Sequence, residues 1–182
     1  MLRTILTYGL VSGGLVALAM FPLIVFGEPG AGSGSHSMIT GYALMLVALS
    51  LIFVAVKRRR DRVLGGVIRF LPALGLGLGI SVVAGLVYVA GWEITLAATD
   101  YSFVESYSAS MIEAARAKGA SAQELARVAA EMKAFGVQYA NPLYRLPMTF
   151  IEIFPVGVLI SLVSAGLLRN SRFLPMRVVR AS

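Results

Sequence analysis

The chain has no cysteine, one histidine and one tryptophan, and charged residues make up only 14% of its 182 positions. Absence of cysteine removes disulfides, thiolate metal sites, iron–sulfur clusters and thiol nucleophiles together, so redox compartment cannot be read from it. The lone histidine, His36, lies in Gly32-Ser33-Gly34-Ser35-His36-Ser37 with Glu28 nearby. A metal site there would need ligands converging from elsewhere. A solvated loop histidine is the plainer reading, and its pKa would also suit an external pH sensor. There is no HExxH, no Ser/His/Asp set and no phosphate loop, so the expectation is a protein without enzymatic activity, cofactor or metal.

What the chain has in abundance is apolar surface. A hydrophobic fraction of 58% and a mean hydropathy of +0.81 exceed what a soluble domain of this size can hide in one core. Four apolar runs stand out, from about Thr4 to Phe26, Met38 to Val56, Phe70 to Ala98 and Leu143 to Leu168. Each is near or above the roughly 20 residues that a membrane-crossing helix needs. The sequence therefore predicts an all-α fold, a four-transmembrane-helix bundle, with residues 1–182 as a single membrane domain. The first run follows a short basic start at Arg3, but it is long for a signal peptide. Gly27-Glu28-Pro29-Gly30 also lacks a small-x-small cleavage pattern, so the run reads as retained.

The net charge of +7 suggests nucleic acid until it is located. Lys57, Arg58, Arg59, Arg60 and Arg62 follow the second run, then Arg69, while Arg169, Arg172, Arg177 and Arg180 follow the fourth. Basic residues at the ends of apolar runs report orientation, and place these segments and both termini on the cytoplasmic side. Nucleic acid is not an expected partner. The cluster Lys57 to Arg62 is expected to be a short loop that acts as a stop signal and touches anionic lipid headgroups. The linker Gly27 to Ser37 has no Lys or Arg, and the long connection after the third run is balanced in sign. Both belong outside.

That outer connection is expected to fold as a helical hairpin over about 102–139. Ser102 with Glu105 and Ser121 with Glu124 each spell a capping box, and Gly119 suits the stop between the two helices. Leu125, Val128, Met132, Phe135 and Tyr139 form an apolar stripe opposite Glu124, Arg127 and Glu131. Val104, Tyr107, Met111 and Ala115 repeat it more weakly, and Asn141-Pro142 turns the chain back. The stripes would pack against each other or against the rim of the bundle, with a protein partner as the alternative occupant.

Leu74-Gly75-Leu76-Gly77-Leu78-Gly79 fails as a dinucleotide fingerprint, since Ile80 stands where the third glycine is needed and no strand precedes it. In a membrane helix the same residues make small-xxx-small faces, Gly75 with Gly79, and Gly77 with Ser81 and Gly85. Gly9 and Gly13 could supply the complementary surface, or a second copy of the chain could, which would make a homo-oligomer.

Two carboxylates fall inside apolar runs, Glu93 and Glu152, about 8 Å and 14 Å deep by helical rise from the outer side. Neighbouring carboxyls there could share a proton, and Arg145 is the other available partner. One reading makes them a protonatable relay or cation site, with Pro155 and Gly157 loosening the fourth helix. The other makes them interhelical glue, bonded to Arg145, Thr149, Tyr88 or Thr95. Trp92 and Tyr144 sit where interface aromatics are expected.

Tyr139-Ala140-Asn141-Pro142-Leu143-Tyr144-Arg145, with Met148-Thr149-Phe150-Ile151-Glu152-Ile153-Phe154-Pro155-Val156-Gly157, resembles the signature of a bacterial membrane family. That family is catalogued only as a domain of unknown function, the "four-one-nine-nine" family. The likeness extends to Tyr8-Gly9, Ser12-Gly13, Gly41-Tyr42, Arg60-Asp61 and Gly65-Gly66. It implies a bacterial four-helix membrane protein, hence a bacterial inner membrane, and implies no activity. The leading expectation is a bundle that binds lipid or a partner, or assembles with itself. The alternative is a small transporter or channel component coupled to protons or cations through Glu152 and Glu93.

Overall fold

The computed structural model describes residues 1–26 and 35–175, without the side chains of Leu23 and of residues 35–38. The readings placed on the linker with Glu28, on the His36 side chain, and on Arg177 and Arg180 lie outside the described residues. Among those residues the regular structure is entirely α-helical: α1 (Leu2–Val25), α2 (Ser35–Leu49), α3 (Leu51–Val63), α4 (Phe70–Ala98), α5 (Phe103–Ala117), α6 (Ala122–Tyr139) and α7 (Pro142–Leu168). Four helices are long and apolar enough to cross a membrane: Leu2–Pro22, Ile39–Val63, Phe70–Ala98 and Pro142–Leu168.

The second candidate span joins α2 and α3 through Ser50. Its hydroxyl bonds the Val47 carbonyl, while its own amide and carbonyl stay in the helical ladder through Leu46 and Val54. The helix therefore runs on past Val56 to Val63, and Lys57 to Arg62 lie on its last turns rather than on a loop. Backbone bonding inside a helix keeps polar groups satisfied while long basic side chains leave the apolar zone, so charge does not end it. Gly65 and Gly66, both with positive φ, make the turn into α4.

α4 is the central helix, packed most extensively against α1 and α7. It runs parallel to α1 in a four-residue register. Ile5 meets Gly79, Gly9 meets Val83, Gly13 meets Ala84 and Val87, and Ala17 meets Gly91. It runs antiparallel to α7, where Gly77 faces Ser161 and Ser81 faces Gly157. The small-residue faces expected on α4 are thus real but divided. Gly77, Ser81 and Gly85 serve α7, Gly79 serves α1, and Gly75 has open space around it. The complement of the α7-facing set is Gly157 with Ser161, not Gly9 and Gly13. Ser81 and Ser161 each donate back to the carbonyl four residues earlier and lie 3.3 Å apart. That arrangement satisfies both hydroxyls at the closest approach of the two backbones.

Gly157 therefore marks a contact, not a loosened point, and α7 remains helical through Pro155. A Cβ at Gly13 would lie 2.5 Å from the Ala84 carbonyl oxygen, a backbone atom that cannot rotate away. At Gly14 a Cβ meets nothing within 4 Å. Gly13→Ala is expected to destabilise the bundle by about 1–3 kcal/mol through overpacking. Gly14→Ala should be neutral or stabilising by up to about 1 kcal/mol from helix propensity. Thermal unfolding of the two variants in detergent checks this, and equal midpoints would contradict the close α1–α4 contact.

Between α4 and α7, α5 and α6 form the expected helical hairpin. Gly119 (φ +79°) ends α5, its amide bonding Arg116 O while Ala120 bonds Ala115 O, the paired pattern that satisfies the last carbonyls. Ser121 caps α6 by accepting from the Glu124 amide. The matching expectation at Ser102 is not met: its backbone is already helical and its side chain makes no cap bond. Asp100 and Tyr101, at positive φ, take the chain sharply out of α4, and Tyr101 N bonds Leu96 O. A chain entering from such a turn has no extended N-cap residue to present its hydroxyl.

Candidate functional site: a carboxylate in an aromatic cavity

The antiparallel register of α4 and α7 brings their polar residues together at the hairpin end. Arg145 is 5% exposed, and its Nε and Nη2 each donate to one oxygen of Glu93, both at 2.7 Å. Its Nη1 donates to the Tyr139 carbonyl at 3.1 Å, which ties the end of α6 to the first turn of α7. Tyr101 and Tyr139 place their rings 5.5 and 5.9 Å from the guanidinium carbon, close enough for cation–π attraction. Thr149, one turn on, donates to the Arg145 carbonyl and not to a carboxylate.

Glu152 receives none of this. Its hydrogen bond comes from the Tyr88 hydroxyl at 3.3 Å, and its side chain is exposed rather than enclosed. The structure therefore splits the expected cluster of Glu93, Arg145, Thr149, Glu152 and Pro155. Glu93 is neutralised by a two-pronged arginine, while Glu152, about 15 Å along α7 from Pro142, keeps one long bond to a phenol. Each carboxylate has its own partner, Arg145 for Glu93 and Tyr88 for Glu152.

Glu152 opens on a cavity of about 370 Å³ between the long apolar helices and the hairpin. Met20 and Ile24 of α1, Gly41, Tyr42 and Met45 of α2, and Tyr88 and Trp92 of α4 supply part of the wall. Phe103, Tyr107, Phe135 and Tyr139 of the hairpin and Met148, Thr149 and Glu152 of α7 supply the rest. The hairpin rings form a continuous ribbon. Trp92 meets Phe103 edge-on at 4.8 Å, Phe103 meets Tyr107 at 6.0 Å, Tyr107 meets Phe135 at 6.1 Å and Phe135 meets Tyr139 at 5.2 Å. Trp92 Nε1 donates to the Tyr139 hydroxyl at 2.7 Å and closes the ribbon onto α4. Burial pushes the Tyr139 phenol up, against the opposing pull of the Trp92 N–H. The hydroxyl thus stays protonated at neutral pH.

This wall was not legible as a site in the sequence. Trp92 reads there as an interface anchor, yet it faces the cavity, and the stripe Val128–Met132–Phe135–Tyr139 reads as packing. α5 has no fully buried residue and α6 has only Tyr139, so the hairpin's apolar face lines a space more than it fills one. A hint was available in the concentration of aromatic residues at Tyr101, Phe103, Tyr107, Phe135 and Tyr139 on an otherwise polar hairpin.

At the opposite, basic end the cluster after the second crossing divides. Arg60 is fully buried, bonding Asp61 and the carbonyls of Phe173 and Leu174. Lys57 pairs with Asp61, while Arg62 is exposed. Arg58 and Arg59 line a recess with Arg3, Thr4, Thr7 and Tyr8 of α1. A buried arginine engaged on backbone carbonyls is not free to meet a headgroup, so Arg60 holds the segment after α7.

Of the residues that carry the resemblance, Gly41, Tyr42, Tyr139, Met148, Thr149 and Glu152 line this cavity, Arg145 pairs with Glu93 beside it, and Gly157 makes the α4–α7 contact. Residues 7–170 match the family described as protein of unknown function, DUF4199. The chain belongs to the DUF4199 family. No curated protein and no solved structure matches it. In this DUF4199 protein the family match spans all four candidate membrane helices and the hairpin. The polar network and the cavity belong to the matched region.

Proposed function

We propose that this DUF4199 protein is a non-enzymatic ligand-binding protein of a bacterial inner membrane, holding an amphipathic small molecule or lipid in the cavity beneath its hairpin. The proposed orientation puts the termini and the basic end in the cytoplasm and the hairpin outside, because lysine and arginine concentrate at the basic end. Exposed apolar residues such as Leu18, Leu71 and Ile151 are available for lipid contact. One observation carries the reading: a cavity of about 370 Å³ reached by every membrane crossing and both hairpin helices, apolar apart from a few convergent polar groups. That is the usual composition of a small-molecule site. The second reading, coupling to protons or cations, is favoured by the access of Glu152 to the same cavity. It would run through Glu152 without Glu93, whose oxygens are taken by Arg145.

Native mass spectrometry of the protein released from membranes tests the proposal. The wild type should carry a retained adduct of small-molecule or lipid mass. Gly41 lines the cavity, and among the described residues a Cβ there meets only Met20, at 3.6 Å. Gly41→Leu should fold normally and lose adduct affinity by about tenfold, the loss of roughly 1.4 kcal/mol of contact. A wild-type protein isolated free of any adduct, or an adduct indifferent to Gly41→Leu, would count against it.

A further inference from the structure

We propose that the cavity is a site for an organic ammonium ion, a substituted amine or quaternary ammonium group, seated between the aromatic ribbon and Glu152. This rests on the ligand-binding reading and names the chemical class of the ligand.

Charge decides it first. Glu152 is exposed to this largely apolar and aromatic cavity, where its ionised form is favoured by a nearby counter-charge. Among the described residues lining the cavity there is no lysine, arginine or histidine, and the nearest arginine in the network, Arg145, gives two of its donors to Glu93. Tyr88 supplies Glu152 with one hydrogen bond, not a charge. An anionic ligand would meet repulsion from an ionised Glu152, and an uncharged one would favour its protonated form, whereas a cation favours the carboxylate. A cation completes the site.

The wall then decides what kind of cation. A hard metal ion takes six or more oxygen ligands. The lining provides one carboxylate, Thr149 and scattered phenols, with rings and the thioethers of Met20, Met45 and Met148 elsewhere. Tyr42, Tyr88, Trp92, Phe103, Tyr107, Phe135 and Tyr139 face the same space. Ring faces attract large, weakly hydrated ammonium ions at distances up to about 6 Å, and cages of several aromatic residues suit methylated amines. A lipid amine and a free amine share this chemistry.

Trp92 is the single tryptophan of the chain and lines the cavity, so its emission reports occupancy without a label. Full-length protein in nanodiscs is titrated with phenyltrimethylammonium and with its uncharged isostere, tert-butylbenzene. The ammonium should change Trp92 emission saturably and bind at least about tenfold tighter than the isostere, a ratio in keeping with one desolvated charge contact plus ring contacts. Glu152→Gln should remove that preference while leaving isostere binding unchanged. Tyr107→Leu, on the hairpin and outside the α4–α7 contact, keeps an apolar side chain against Phe135 and should weaken the ammonium by about three- to tenfold as one ring is lost. It keeps the idea testable should Glu152→Gln fail to fold. Equal binding of the two probes, unmoved by either variant, overturns the ammonium assignment and leaves the ligand cavity standing. No saturable response to either probe overturns both. To separate a lipid amine from a free one, phosphatidylethanolamine in the nanodisc is replaced by phosphatidylglycerol. Competition that disappears on replacement assigns the lipid headgroup, and affinity that does not change assigns a free amine.

Discussion

Arg145→Met should lower the stability of the protein by about 3–5 kcal/mol, because it leaves a carboxylate inside the bundle without its partner. The Arg145 side chain is 6% exposed and that of Glu93 is 29% exposed, so solvent screens the pair poorly and the loss is not discounted as a surface pair would be. The same change frees the Tyr139 carbonyl, which Arg145 Nη1 holds. The hairpin should therefore loosen along with the α4–α7 contact. Glu93→Gln should cost less than Arg145→Met, since glutamine still accepts one hydrogen bond from the guanidinium. The double change Glu93→Leu with Arg145→Met should recover much of the loss, as apolar replacements of buried ion pairs often do. Thermal and denaturant unfolding in detergent give the double-mutant cycle. Single changes whose losses simply add would show that the two side chains do not act as a pair.

The second large effect is expected at the other end of the bundle. Arg60 is fully buried and donates to Asp61 Oδ1 at 2.7 Å and to the Phe173 and Leu174 carbonyls. Phe173 also sets its ring edge-on to Phe53 at 6.5 Å. Arg60→Met keeps the stem volume but strands two carbonyls and one carboxylate oxygen; these are part-buried and Leu174 is exposed, so each should cost near the lower end of the about 1–3 kcal/mol of a buried unsatisfied group. Asp61 retains Lys57, so the summed loss should fall near 3 kcal/mol rather than at the upper limit. Arg60→Lys should not restore it, because one ammonium cannot reach both carbonyls and the carboxylate in the plane that the guanidinium fork occupies. Limited proteolysis should then cut between Asn170 and Pro175 in both variants and spare the wild type. Protection equal to wild type in Arg60→Lys would mean that charge, not fork geometry, holds the segment.

Arg60 also shows why a correct reading of composition can misplace a residue. In the sequence it is one of a run of basic side chains after an apolar stretch, and such runs are solvated or meet headgroups. Nothing local distinguishes it from Arg59. The difference arises from rotation about the helix axis: at about 100° per residue, Arg60 points at the segment after α7 while Arg58 and Arg59 point at α1. The hairpin faces do meet as expected, Tyr107 against Phe135, and they also line the cavity, which the stripe alone does not reveal. A stripe at helical spacing shows that a face is covered. It does not show whether the cover is packed side chain or a space that a ligand could fill.

Legible in the sequence alone were the helical class, the four long apolar helices, the hairpin with its Gly119 stop, the turn at Asn141-Pro142 and the two carboxylates within apolar runs. All of these depend on neighbours a few residues apart, where length, periodicity and capping act directly. Which carboxylate receives the arginine was decided by tertiary structure. Glu93 and Arg145 are brought together from different helices by the close approach at Gly77, Ser81, Gly157 and Ser161, which sets how far α7 slides along α4. A shift of one helical turn, about 5.4 Å, would carry Arg145 away from Glu93 and Glu152 away from Tyr88 with no change in any local pattern. The register therefore leaves Glu152 facing an aromatic cavity with a single phenol for company.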